Sequence, residues 1–270
     1  MSETHSFRTG DGTLLNVDIA GDGHPIIFLH GLCGDAAQPA EVFPQGFRRI
    51  SIEARGHGKS EPGPLDRLSI ATFADDVAAY IESRLYAPIV IGGISMGAAI
   101  SLRLAVKRLD LVKGLILARP AWLTASAPDN MAPNAEVGEL MKQLPPHEAK
   151  AQFLAGRTAR FLAQHAPDNL ASLNGFFDRE PITVTAALLT AISNDGPGVT
   201  EEEIAQIAVP TLVIGHEQDA VHPIGYARTL AAMIPQARFA EITPKVASRA
   251  DYVADFRQTM TDFLAEVAES

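Results

Sequence analysis

The sequence predicts an α/β fold: a mainly parallel sheet flanked by helices on both faces, with a helical cap inserted. Three observations predict it. Short, continuously apolar runs alternate with helical periods, as strands buried on both faces do when helices connect them. Gly93-Ile94-Ser95-Met96-Gly97 lies between one such run and a helix-forming stretch, at a strand-to-helix turn. The alternation then lapses from about residue 122 to 205, where prolines punctuate short helical periods and no strand-like run occurs.

The elements follow in order. Residues 6–19 read as a β-hairpin, with Asp11-Gly12 as the turn and Leu15, Val17 and Ile19 alternating after it. Pro25-Ile26-Ile27-Phe28-Leu29 is a buried strand, and residues 48–52 form another. Ile70, Phe73, Val77, Tyr80 and Ile81 share one face of a helix over 70–85. A strand over 88–92 leads into the Ser95 turn, a helix over 96–108 follows, and Gly114–Ala118 is the next strand. Helices over 148–165 and 183–193 are expected in the insertion. A strand at 210–215, a helix at 224–233, a strand at 238–242 and a helix at 250–267 complete the chain. The core is therefore residues 1–121 with 206–270, and the cap is 122–205.

Composition narrows the function. The net charge of −10 disfavours nucleic acid and anionic membrane as partners, because phosphates call for Lys and Arg. A single cysteine, Cys33, rules out an internal disulfide framework and fits a reducing compartment. No basic segment followed by an apolar stretch opens the chain, and no window is apolar for the length of a membrane span. A cytoplasmic location is expected. No metal-ligand spacing and no phosphate loop is found, so no cofactor or metal is implied. The expected partner is a small-molecule substrate, and self-association as a homo-oligomer stays open.

In a parallel sheet, ligands bind beyond the carboxyl ends of the strands. His30, Glu53, Ser95, Arg119 and Asp219 all fall at such ends. With His30-Gly31-Leu32, Arg55-Gly56-His57-Gly58-Lys59-Ser60, the Gly93–Gly97 turn, and Pro210–Gly215 leading to Asp219 and Pro223, the chain resembles the α/β-hydrolase superfamily from about residue 10 onward. Its style is similar to the small bacterial esterases and lactonases. The resemblance implies Ser95 as nucleophile, the backbone N–H groups of Leu32 and Met96 as oxyanion hole, and Asp219 as the acid of a triad.

The pattern breaks at the base. The family supplies a histidine after its last strand, but here Thr243-Pro244-Lys245-Val246-Ala247-Ser248 has none, and no histidine follows His222. Three readings stay open. His222, three residues after Asp219, replaces the missing base. Alternatively His147 or His165 reaches down from the insertion, or no base is present and the pocket binds a ligand or runs non-hydrolytic chemistry.

Around the pocket, His30 either touches substrate or braces the oxyanion turn. Cys33 lines the pocket floor. Arg119 either holds a substrate carboxylate or ties cap to core, and Trp122 lines the cap–core boundary. Lys245 pairs with Asp219, acts as an unusual base, or is a surface lysine. Glu53 is expected to pair with Arg55, and Asp75 and Asp76 to form a solvated helix face. The expected function is hydrolysis of a small carboxylic ester, lactone or thioester through an acyl-enzyme on Ser95. A non-hydrolytic or ligand-binding member of the fold is the alternative.

Overall fold

A computed structural model describes residues 2–84 and 86–269. Eight strands, β1 (Ser2–Arg8), β2 (Leu14–Ala20), β3 (Pro25–Leu29), β4 (Arg48–Ile52), β5 (Ile89–Ile94), β6 (Val112–Ala118), β7 (Thr211–Gly215) and β8 (Ala237–Glu241), form one sheet in the order β1-β2-β4-β3-β5-β6-β7-β8. β1 and β2 pair antiparallel around the Asp11-Gly12 turn, and β2 pairs antiparallel with β4. Every pair from β4 to β8 is parallel. The expected hairpin therefore forms, with longer arms than the sequence suggested.

Helices α1 (Ala37–Val42), α2 (Ile70–Arg84) and α3 (Met96–Lys107) alternate with the first strands, and α10 (Ile224–Met233) and α11 (Arg249–Glu269) with the last. Between β6 and β7 lie α4 (Ala132–Gln143), α5 (Pro146–Ala155), α6 (Arg157–His165), α7 (Pro167–Phe176), α8 (Ile182–Ser193) and α9 (Glu201–Ile204), with no strand among them. The single helix expected over 148–165 is two, because Gly156 adopts an extended conformation (φ −76°, ψ 173°) that ends one and caps the next. Residue 85, the expected end of α2, lies outside the described residues.

Two apolar layers sandwich the sheet. Along β3, Ile27 and Leu29 face the layer carrying Phe73, Ile81 and Leu102, whereas Ile26 and Phe28 face Phe256, Met260 and Phe263 of α11. Alternation of side chains across the sheet sends successive β3 residues to opposite cores. β5, at the centre, is buried along its whole length. No helix among the described residues is long and apolar enough to cross a membrane.

Two electrostatic expectations are corrected. Asp76 is buried, not solvated, and its carboxylate takes Arg55 Nε at 2.7 Å and Nη2 at 2.9 Å, while Asp11 takes Arg55 Nη1 at 2.6 Å. Asp75 does face solvent. Glu53 does not pair with Arg55. It accepts the N–H groups of Ala36 (3.0 Å) and Lys59 (2.7 Å) and the Asn16 amide (3.0 Å). Three donors on one carboxylate pin the loops that leave β3 and β4.

Candidate active site

Ser95 closes β5 and precedes α3 with φ 56° and ψ −110°, a left-handed conformation that a side chain adopts only under strain. The turn is possible because its flanks lack side chains. A Cβ on Gly93 would stand 2.7 Å from the Gly97 carbonyl carbon, and one on Gly97 would stand 2.7 Å from the Leu29 carbonyl oxygen. Cys33, Arg119 and Gln218 also have positive φ (59°, 47° and 60°), and each follows a strand of the same sheet edge. Four such residues around one cleft mark a place where the fold stores conformational energy.

A cavity of about 180 Å³ opens at this edge. Ser95, Leu32, Cys33, Gln38, Arg119, Asn134, His222 and Lys245 contribute to its wall, with Met131, Leu173, Phe176 and Val221 as its apolar part. The β3–α1 turn lies against the serine, since a Cβ on Gly31 would be 3.4 Å from Ser95 Cβ. Gln38 Oε1 accepts the Gly31 N–H at 2.6 Å and sets that turn. The N–H groups of Leu32 and Met96 meet no hydrogen-bond partner among the described residues.

Asp219 collects donors from four directions. Arg119 donates to Oδ2 from Nε (2.9 Å) and Nη2 (2.6 Å), and Asn169 Nδ2 donates to Oδ1 at 2.9 Å. The His222 N–H reaches Oδ1 at 3.0 Å, and the His222 ring places Nδ1 2.9 Å from both oxygens. Nδ1 also lies 3.2 Å from Arg119 Nη2, but the two nearer carboxylate oxygens accept, so the tautomer with the proton on Nδ1 fits best and leaves Nε2 with a lone pair. Burial would raise the Asp219 carboxyl, but Arg119 and then His222 outweigh it and hold it well below the usual carboxylate range. Burial chiefly lowers His222, Arg119 adds to this, and Asp219 opposes it. The imidazole is therefore neutral at neutral pH.

Several sequence-predicted residues gather here and others do not. Ser95, Asp219, His222, Leu32, Cys33 and Arg119 converge, and Met96 follows Ser95 directly. His30 lies beneath the cavity, 1% exposed, with Nε2 accepting the Ala54 N–H at 3.0 Å and Nδ1 donating to the Gly31 carbonyl at 2.8 Å. It braces the turn and does not line the cavity. Trp122 is buried away from the cavity, and its indole donates to the Asp195 carbonyl at 2.9 Å. His147 and His165 are exposed on the helices between β6 and β7 and do not reach the cavity. Burial pushes the Cys33 thiol up to about 12, which makes it a wall residue and not a thiolate. Lys245 lines the cavity from the Pro244–Ala247 turn and makes no ion pair with Asp219.

The residues that sequence reasoning missed are Asn169, His216, Tyr252, Gln38 and Asn134. Asn169 Oδ1 also accepts the Ala220 and Val221 N–H groups at 2.7 and 3.2 Å, so α7 holds the loop that follows β7. His216 Nε2 is buried 3.7 Å from Asp219 Oδ2, and its ring packs edge-on against Tyr252. His216 alone carried a signal, since it directly follows β7; nothing in the local pattern around the other four marks them. Asn169→Ala is expected to cost roughly 2–3 kcal/mol, because two N–H groups and part of a buried carboxylate lose their partner. Urea denaturation of both proteins measures it, and a cost near zero would refute the clamp.

A model of the α/β-hydrolase fold matches residues 24–244. The chain belongs to the α/β-hydrolase family. This α/β-hydrolase is 27% identical over 98% of its length, and 99% of the relative's, to the AB hydrolase superfamily protein YisY of Bacillus subtilis. It is 28% identical, over 94% of its length and 97% of the relative's, to a pimeloyl-[acyl-carrier protein] methyl ester esterase of Chromobacterium violaceum. Among solved structures, an esterase (EaEST) from Exiguobacterium antarcticum superposes with a TM-score of 0.73 at 21% identity, covering 96% of this chain and 98% of the other.

Proposed function

We propose that this protein is a serine hydrolase that cleaves a small carboxylic ester, lactone or thioester through an acyl-enzyme on Ser95. One observation carries the reading. A serine held in a strained turn shares a cavity with a neutral imidazole whose other nitrogen is fixed by a buried carboxylate. That is a nucleophile, a base and an orienting acid, with the base drawn from the acid loop and not from the loop after β8.

In the first step, Ser95 Oγ attacks the substrate carbonyl carbon and His222 Nε2 takes the hydroxyl proton. Negative charge develops on the carbonyl oxygen, which the Leu32 and Met96 N–H groups receive at the positive end of α3. The C–O or C–S bond then breaks and His222 returns the proton to the leaving group. Water repeats the sequence on the acyl-enzyme and frees Ser95. Asp219 stays ionised throughout and holds Nδ1–H. The helices over 122–205 act as a cap that shields the reacting bond from water. The cavity is smaller than the roughly 300–1,000 Å³ of drug-sized ligand sites, which fits a small acyl group. The methyl ester esterase among the relatives favours an ester.

A second reading has its own support. Arg119 takes much of the Asp219 charge, and no hydrogen bond joins Ser95 Oγ to an imidazole among the described residues. A non-heme chloroperoxidase stands among the relatives, so chemistry other than hydrolysis is the alternative. Mass spectrometry after a fluorophosphonate pulse separates the two. Prompt phosphonylation of Ser95, absent in Ser95→Ala, upholds the hydrolase. A folded protein that stays unlabelled favours the alternative.

A further inference from the structure

The cavity holds more hydrogen-bond donors than the proposed reaction uses. Asn134, on α4, is 5% exposed and lines the cavity, yet its Oδ1 is buried without a partner and its Nδ2 meets none among the described residues. Oδ1 is the atom buried without a partner, and Nδ2 is left as a hydrogen-bond donor for a ligand. Gln38 spends its Oε1 on the Gly31 N–H and leaves Nε2 without a described partner. Lys245 brings an ammonium group that forms no ion pair among the described residues.

Among the described residues, two cations and two carboxylates stand at the cavity, Arg119 and Lys245 against Asp219 and Asp168. Arg119 is neutralised by Asp219. Asp168 also lines the cavity, in the first turn of α7, where the helix dipole favours a carboxylate without neutralising it. Lys245 is the lining cation that forms no ion pair among the described residues. It stands on the loop after β8 and lines the same cavity as Ser95.

We propose that the substrate is an ester or lactone whose acyl part carries a second, free carboxylate, which Lys245 holds by charge and Asn134 by its amide N–H. Gln38 Nε2 is the further donor available to it. This rests on the hydrolase reading and narrows it to monoesters or lactones of short dicarboxylic acids. The small cavity sets the length, because nucleophile and cation both line it. Recognition by a charged group makes the neutral ester a poor substrate, since the ammonium and the carboxamide would then stay unmatched.

The test compares monomethyl succinate with the isosteric methyl ester in which an isopropyl group replaces the carboxylate. Wild-type kcat/KM is expected to favour the charged ester by roughly tenfold or more, a charge-assisted hydrogen bond's share. Lys245→Gln should bring that ratio toward one, and Lys245→Glu should reverse it, mainly through KM. Equal rates for both esters in the wild type, or a ratio untouched by Lys245→Gln, overturn the proposal. If neither ester is hydrolysed, calorimetric titration of succinate into the Ser95→Ala protein decides independently of catalysis. Saturable binding lost in Ser95→Ala/Lys245→Gln keeps the carboxylate site and removes the hydrolase. Absence of binding at millimolar succinate removes the carboxylate site itself.

Discussion

Replacing His222 with alanine is expected to lower kcat/KM on a small ester by about a thousandfold, with the fold intact. The size follows from the work assigned to Nε2. Without it the Ser95 hydroxyl must lose its proton to water, and the leaving group must find another donor. The ring is held by its Nδ1–H to Asp219 at 2.9 Å, so the productive nitrogen is aimed by a bond that costs nothing at the moment of reaction. Added imidazole should restore part of the rate in the alanine variant, because the vacated volume lies in the cavity wall. A loss smaller than about tenfold would place the base elsewhere. Lys245 would then be the residue to test, since His147 and His165 lie outside the cavity.

Arg119→Leu is expected to destabilise the protein by roughly 3–5 kcal/mol, because it leaves a carboxylate that is 1% exposed without its cation. The same change should shift the pH dependence, and its direction can be worked out. On the proposed mechanism His222 acts unprotonated, so the rate is present above its folded pKa and lost as pH falls through it. Burial and then Arg119 hold that pKa below the usual imidazole value near 6.5, so the wild type keeps its rate into mildly acidic solution. Without Arg119 the acid limb of kcat/KM moves up toward neutral pH. Asp219 behaves oppositely: its depressed pKa contributes stability above the unfolded carboxylate value near 3.9, which is lost as pH falls through the folded value. In the variant Asp219 protonates more readily, so its stability deficit against wild type narrows in acid. Denaturation curves and a kcat/KM profile from mildly acidic to neutral pH measure both effects. An unmoved acid limb together with unchanged stability would remove Arg119 from the site.

Arg119 also shows where sequence reasoning stops. A cation at the end of β6 fits both a substrate clamp and an internal ion pair, and the residues around it favour neither. Folding decides by bringing it 2.6 Å from a carboxylate 100 positions away. The insertion was legible as helical but not as a partner of the loop after β7, because Asn169 sits in an ordinary helical stretch and gains its role only from contact with residues 219–221. Asp76 misled for a related reason. Two adjacent acids on an amphipathic helix read as solvated, yet they point to different sides, and only Asp76 meets Arg55.

The sheet, the Ser95 turn and the line of chemical residues at the strand ends were settled by the chain alone. Apolar periodicity, glycine and chain direction act over a few residues, and a parallel sheet converts strand ends into one edge. Which histidine sits in the cleft, which cation is spent and which is left over were settled only in three dimensions. Ion pairs and buried hydrogen bonds depend on approach to within a few ångströms, and that distance carries no trace in local sequence.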